Sequence, residues 1–148
     1  MSLKEWLSNG WLKKHDTSKE EIGNLLAIVE RDLNDAGAKG LSADWKFGIT
    51  YNAALKLCTM VLYVSGYQSA QGLQHYRTIT ALPLALGKEM NDAAGYLDAC
   101  RKKRNIVEYD YAGGASAADA AELYTFTVDL KAKVIAWLKA NHKKYMQD

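Results

Sequence analysis

Residues 42–66 read SADWKFGITYNAALKLCTMVLYVSG, and this stretch decides the fold. Ser42 can cap a helix running through Trp45, Ile49 and Leu55 to Val64, because its hydroxyl can satisfy an orphan amide of the first turn. Ala54, Leu55, Cys58, Val61 and Leu62 recur at steps of three and four, giving a broad apolar stripe. A stripe that wide belongs to a helix central in a bundle. Gly66 ends it.

Working outward, the chain on either side has the same helical character. Upstream, Ser18 and Glu21 have the spacing of a capping box, and Ile22, Leu25, Leu26, Val29, Leu33 and Ala36 follow at helical steps until Gly37 and Gly40. Before that, Leu3, Trp6 and Leu7 share one side of a short helix, which Gly10 and the run Lys13-Lys14-His15-Asp16 break. Downstream, a third helix starts near Leu73 with Tyr76, Ile79 and Leu82 inward, and Pro83 predicts a break or kink. A fourth runs from about Lys88 to the region of Tyr109. Gly113-Gly114 is a turn, Ser116 with Asp119 makes another cap, and Leu123, Thr127, Leu130, Val134 and Trp137 stripe the last helix. The prediction is one all-α domain over 1–148 with its core at about 17–140, an up-and-down four-helix bundle with an extra short N-terminal helix.

Composition agrees. The 148 residues are 49% hydrophobic and 24% charged with a net charge of +2, which excludes disorder. A single proline argues against a strand-rich, turn-rich domain. The longest unbroken apolar runs, at 60–64 and 81–86, fall short of the roughly 18–20 residues of a membrane span. Without a signal-like apolar core near Met1, the sequence reads as cytoplasmic, with Cys58 and Cys100 as reduced core thiols. Three histidines without Cys/His or H-E-x-x-H spacing argue for no metal, and no glycine-rich phosphate loop argues for a cofactor. His15 and His142 lie in polar flanks and read as solvated; His75 reads as a capping or surface residue. Trp6, Trp11 and Trp45 read as core or staple residues, with surface contact as the alternative.

One helix departs from ordinary bundle design. The inward stripe of the fourth helix is Leu97, Cys100, Arg104, Val107 and Tyr111, so an arginine stands where the row should be apolar. Arginine is rarely buried without a partner, because its charge must be desolvated. With Arg101, Lys102 and Lys103 it makes four successive positive charges. The plain reading is a solvated helix face with Arg104 paired to Glu108 one turn on. Arg104 points inward or toward a partner subunit by its phase, and Asn105 beside it is a second polar residue that helices do not favour.

The run Arg104-Asn105-Ile106-Val107-Glu108-Tyr109-Asp110-Tyr111 resembles the signature of the HEPN superfamily of small α-helical domains: an arginine, often a polar neighbour, then a histidine after four to six intervening positions. Arg104 matches the arginine, Asn105 the polar neighbour, and Tyr111 the tyrosine that trails the histidine in toxin members. Tyr109 stands in the histidine's place. The likeness extends over about 17–138, through the helix pair ending near Tyr67 and the stretch His75, Tyr76 and Ile79. It implies a homodimer whose arginines and histidines meet in a cleft, cleaving RNA without metal by attack of the 2′-hydroxyl on the adjacent phosphate.

The tyrosine changes that expectation. Its unperturbed pKa lies roughly 3.5 units above that of histidine, about 5 kcal/mol of unfavourable deprotonation. A phenol still donates hydrogen bonds and offers a stacking face for a base. The resemblance therefore predicts a HEPN-like dimer that binds RNA or a nucleotide through Arg104, Asn105, Tyr109 and the basic Arg101, Lys102 and Lys103, with endoribonuclease activity weak or lost. The alternatives are an active toxin-like endoribonuclease, silenced when a partner minimal nucleotidyltransferase adenylylates Tyr111, and a noncatalytic dimeric interaction protein.

Overall fold

The computed structural model describes residues 1–109 and 112–147, with the backbone alone at Tyr109. Tyr111 lies outside the described residues, as does the side chain of Tyr109. The elements in chain order are α1 (Leu3–Ser8), β1 (Leu12–Lys14), α2 (Lys19–Ala36), α3 (Ala43–Val64), β2 (Tyr67–Ser69), α4 (Gln74–Thr80), α5 (Leu82–Leu86), α6 (Asn91–Tyr109) and α7 (Ala117–Asn141). Single 3-10 turns precede α6 and follow α7.

The helix ends follow the local chemistry. The Ser18, Ser42 and Ser116 hydroxyls accept from the amides of Glu21, Trp45 and Asp119 at 3.0–3.1 Å. Of these three serines only Ser116 completes a capping box, its own amide donating to Asp119. At α2 the box is half made, because Glu21 Oε1 is held by His15 Nε2 at 2.5 Å and the Thr17 hydroxyl at 2.7 Å. Pro83 sits in the first turn of α5, where its missing amide removes no helical bond, and the helix breaks at Ala81 as predicted.

Packing makes α3 the centre of the bundle. Thirteen of its 22 residues are buried, so it is enclosed on most sides, and α2, α6 and α7 pack against it with α4 and α5 completing the shell. Tyr51, Phe47, Ile22, Leu57, Leu97 and Leu123 are among the largest fully buried side chains. A second cluster of Trp6, Leu12, Leu62 and Ala81 fastens the N-terminal segment to the outside. Trp6 and Trp11 meet edge-to-face at 5.6 Å, and the Arg77 guanidinium lies 4.0 Å from the Trp11 ring centre. Trp45, in contrast, is 63% exposed.

Three further details differ from the sequence expectation, which also reads Trp45 as a core or staple residue. Leu12–Lys14 and Tyr67–Ser69 pair as a short antiparallel ribbon, Leu12 opposite Ser69 and Lys14 opposite Tyr67. His15 is not solvated: only 18% of its side chain is exposed, against the Tyr63 ring at 4.1 Å. His142 is half-buried beside Trp137, with ring centres 4.7 Å apart. Cys58 and Cys100 are both free and buried, and burial pushes the Cys58 thiol up to about 12. Among the described residues α3 is long and apolar enough on average to cross a membrane; Thr50, Asn52, Lys56 and Thr59 interrupt its apolar runs, and most of the helix is buried in the bundle.

Candidate functional site

Leu97 and Cys100 anchor α6 in the core and thereby fix the direction of every other side chain on that helix. At 100° per residue, Arg101 and Asn105 lie within about 40° of each other, while Lys103 faces away. Arg101 and Asn105 accordingly line one hollow with His75 and Tyr76 of α4. Lys103 turns to α7, where its ammonium lies 3.0 Å from Asp119 Oδ2. Lys102 is exposed, with Asp98 at 3.7 Å. The four consecutive cations thus divide: Arg101 faces the hollow, Arg104 lies behind it, and the two lysines point elsewhere.

Arg104 reconciles its two sequence readings. Its Nη2 is 3.2 Å from Glu108 Oε2, the helical pair expected of a plain bundle. Its guanidinium also lies 5.8 Å from the ring centre of the buried Tyr51, and its side chain is 23% exposed. Arg101 is half-buried, its Nε donating to Asp98 Oδ1 at 2.8 Å and its guanidinium 5.7 Å from the Tyr76 ring.

The hollow has a volume of about 340 Å³, with Gly72 and Leu73 at its lip. Leu73 has φ of +50° and is 64% exposed. A left-handed non-glycine costs roughly 1–2 kcal/mol, and such strain concentrates at functional loops. His75 is the unexpected member. Its Nδ1 lies 3.4 Å from the Tyr51 hydroxyl. Partial burial first, then the charges of Arg104, Lys56 and Arg101, hold its pKa below the ordinary 6.5. Burial pushes the Tyr51 phenol far up, so this group stays protonated. If the phenol donates to Nδ1, the ring proton sits on Nε2 and His75 is a donor; in the other tautomer Nε2 is free to act as a base.

Of the residues the sequence singled out, Arg101 and Asn105 line this hollow, while Arg104 lies outside its lining and pairs with Glu108. The structure adds His75, Tyr51 and Lys56, which sequence reasoning missed. One signal was present for Lys56: it is the only charge between residues 47 and 64, and a single lysine in an apolar helix marks a face that reaches solvent. No local signal marks His75, because its partners on α3 and α6 lie 19 to 30 residues away. Another hollow, of about 370 Å³ beside Trp45, is lined by Asp44 and Glu108. Asp44 is already engaged, accepting from the amides of Gly113 at 2.6 Å and Ala115 at 3.0 Å. Among the described residues no cluster of His, Cys, Asp and Glu could hold a metal ion. No protein-family model matches the chain, and neither a curated protein nor a solved structure shows significant similarity to it.

Proposed function

We propose that this chain is a HEPN-like helical domain that works as a homodimer and binds RNA or a nucleotide, with metal-independent endoribonuclease activity weak or lost. The observation that carries this reading is the meeting of Arg101 and Asn105 with His75 in one hollow that has no carboxylate among the described residues lining it. A guanidinium grips phosphate oxygens, an amide reads a base edge or a 2′-hydroxyl, and an imidazole donates or accepts according to pH. Arg104 supports the hollow from behind, adding positive charge beside Tyr51 and His75. Lys102 and Lys103, which point away, contribute only to the long-range field.

The test is fluorescence polarisation with a labelled single-stranded RNA at low and moderate salt, alongside the mass of the particle by light scattering. The reading expects a dimer and salt-sensitive binding that Arg101→Ala weakens about tenfold or more, the size of a hydrogen bond to a charged group. Lys103→Ala should leave binding nearly unchanged. No affinity for RNA at low salt refutes the reading; alongside a stable dimer it leaves the noncatalytic dimeric interaction protein, and a monomer removes that alternative as well.

His75 gives specific support to a second reading, the active toxin-like endoribonuclease. With its pKa lowered it is neutral near pH 7 and, in the tautomer with a free Nε2, able to take the proton of a 2′-hydroxyl. The O2′–P bond then forms as the P–O5′ bond breaks, and water supplies a proton to the leaving oxygen. RNA fragments ending in 2′,3′-cyclic phosphate, formed without metal and lost in His75→Ala, would establish it. Intact RNA after prolonged incubation would remove it. Adenylylation of Tyr111 by a nucleotidyltransferase belongs to this reading and has its own readout in the mass of the tyrosine-bearing peptide.

A further inference from the structure

A second hollow adjoins the first. It has a volume of about 220 Å³, and Gln74 and His75 line both, forming their shared wall. On the far side of that wall stand Lys56, Thr59, Tyr63 and Gln68. Ser69 and Thr78, joined hydroxyl to hydroxyl at 2.7 Å, tie β2 to α4 beneath it. Gln68 is steadied by His15 Nδ1 at 3.3 Å. The second hollow is therefore built from both main-bundle and ribbon residues held in place by their own contacts.

Charge separates these two hollows from three others on the molecule. The chain carries 17 acidic and 19 basic residues, so a random hollow should contain both signs. Three other hollows each have two carboxylates: Asp44 and Glu108, Glu20 and Glu21, Asp119 and Glu122. The adjoining pair has none among the described residues, and each has a cation, Lys56 in one and Arg101 in the other. Arg101 is partly neutralised by Asp98. Lys56 has no ion-pair partner among the described residues. Both cations lie near enough to His75 to disfavour its protonated form.

Size then limits what each hollow can take. Ligand pockets span about 300–1,000 Å³, so one hollow lies at the lower end and the other below it. Each suits a small group, a phosphate with its sugar or a single base, and an anionic ligand that satisfies both cations must extend across the wall. Amides at Gln68, Gln74 and Asn105 offer donors and acceptors for base edges, and the phenol rings of Tyr63 and Tyr76 flank the two ends. An acidic peptide would use the cations and leave these groups without matched partners.

We infer, resting on the RNA-binding reading above, that the ligand is a single-stranded polynucleotide laid across His75, with one phosphate at Lys56 and another at Arg101, and not a mononucleotide. Lys56 is thus a binding residue for the longer ligand alone, while Arg101 serves both.

The experiment measures the affinity of the full chain for a labelled RNA hexamer and for AMP by competition, over a salt series. Lys56→Ala and Lys56→Gln, the latter keeping most of the stem, are compared with Arg101→Ala. Folding is checked by circular dichroism. Both Lys56 variants should weaken hexamer binding about tenfold and lower the slope of log affinity against log salt by about 0.7, the value for one phosphate contact on a single strand. AMP affinity should not change. Arg101→Ala should weaken both ligands. Unchanged hexamer affinity and slope in the Lys56 variants, with the Arg101→Ala loss intact, overturns this inference alone. No loss in Arg101→Ala, or no RNA binding by the native chain, overturns the RNA-binding reading and this inference with it. Displacement of the hexamer by poly-glutamate at equal charge would overturn the polynucleotide assignment in favour of an acidic peptide.

Discussion

Protonating His75 should strengthen ligand binding and weaken the fold, and the two effects share one pH window. The groups facing the ring are the Tyr51 hydroxyl and Lys56 from α3 and Arg101, Arg104 and Asn105 from α6, with Asp98 and Glu108 pairing the two arginines. Partial burial and the three cations hold the ring neutral in the folded protein below the ordinary pKa of 6.5. In the unfolded chain it titrates near 6.5. Between those two values the unfolded state binds the proton and the folded state does not, so stability rises with pH there. His75 therefore contributes fully above about pH 6.5, and its contribution is lost as pH falls through the lowered folded value. One proton sets a ceiling of about 1.4 kcal/mol per pH unit, and the ring's exposure at the mouth of the hollow keeps the slope well below it. For binding, the added charge next to a phosphate is worth about 1 kcal/mol in a water-like dielectric, or roughly fivefold in affinity. Polarisation titrations at pH 7.5, 6.5, 5.5 and 5.0, with urea unfolding at the same values, compare the native chain with His75→Gln. The native chain should bind RNA more tightly and unfold more easily below pH 6.5, and His75→Gln should show a flatter dependence in both. Identical pH profiles for the two proteins would refute the reasoning.

Three further outcomes concern the scaffold that aims the site. Leu97 is fully buried where α6 meets the core, so Leu97→Ala should cost about 2–5 kcal/mol by urea unfolding, with RNA affinity falling if the helix loses its phase. Asn52 Nδ2 donates to Asp32 Oδ2 at 2.6 Å, and Asp32 is 5% exposed. Asn52→Ala should cost about 1–3 kcal/mol by removing a donor from a buried carboxylate, whereas a cost near zero would mean that Arg31 alone satisfies it. Ser116→Ala opens the capping box of α7 and should destabilise the protein by about 1 kcal/mol, measured as a lower urea midpoint at constant m-value.

Helix starts were legible because a cap is a contact between residues three apart, so Ser18, Ser42 and Ser116 announce themselves in any context. The inward phase of Arg104 was legible for a similar reason, since Leu97 and Cys100 on the same helix fix it. The missing half of the Glu21 capping box was not, because His15 reaches that carboxylate only after the ribbon of Leu12–Lys14 and Tyr67–Ser69 has formed. Those strands are more than 50 residues apart and too short to show a period. His75 failed to stand out for the same physical reason. Its setting is made by Tyr51, Lys56, Arg101 and Arg104, none of them close in sequence, and a helix only seven residues long carries no pattern that points to them.

The central claim is that side chains from α4 and α6 face one ligand, and side-chain NMR during an RNA titration tests it most directly. The imidazole of His75, the Nε of Arg101 and the amide of Asn105 should shift together and saturate at one concentration. The indole of the exposed Trp45, beside the acid-lined hollow, should stay in place. Movement of Trp45 with His75 and Arg101 unshifted would contradict the account.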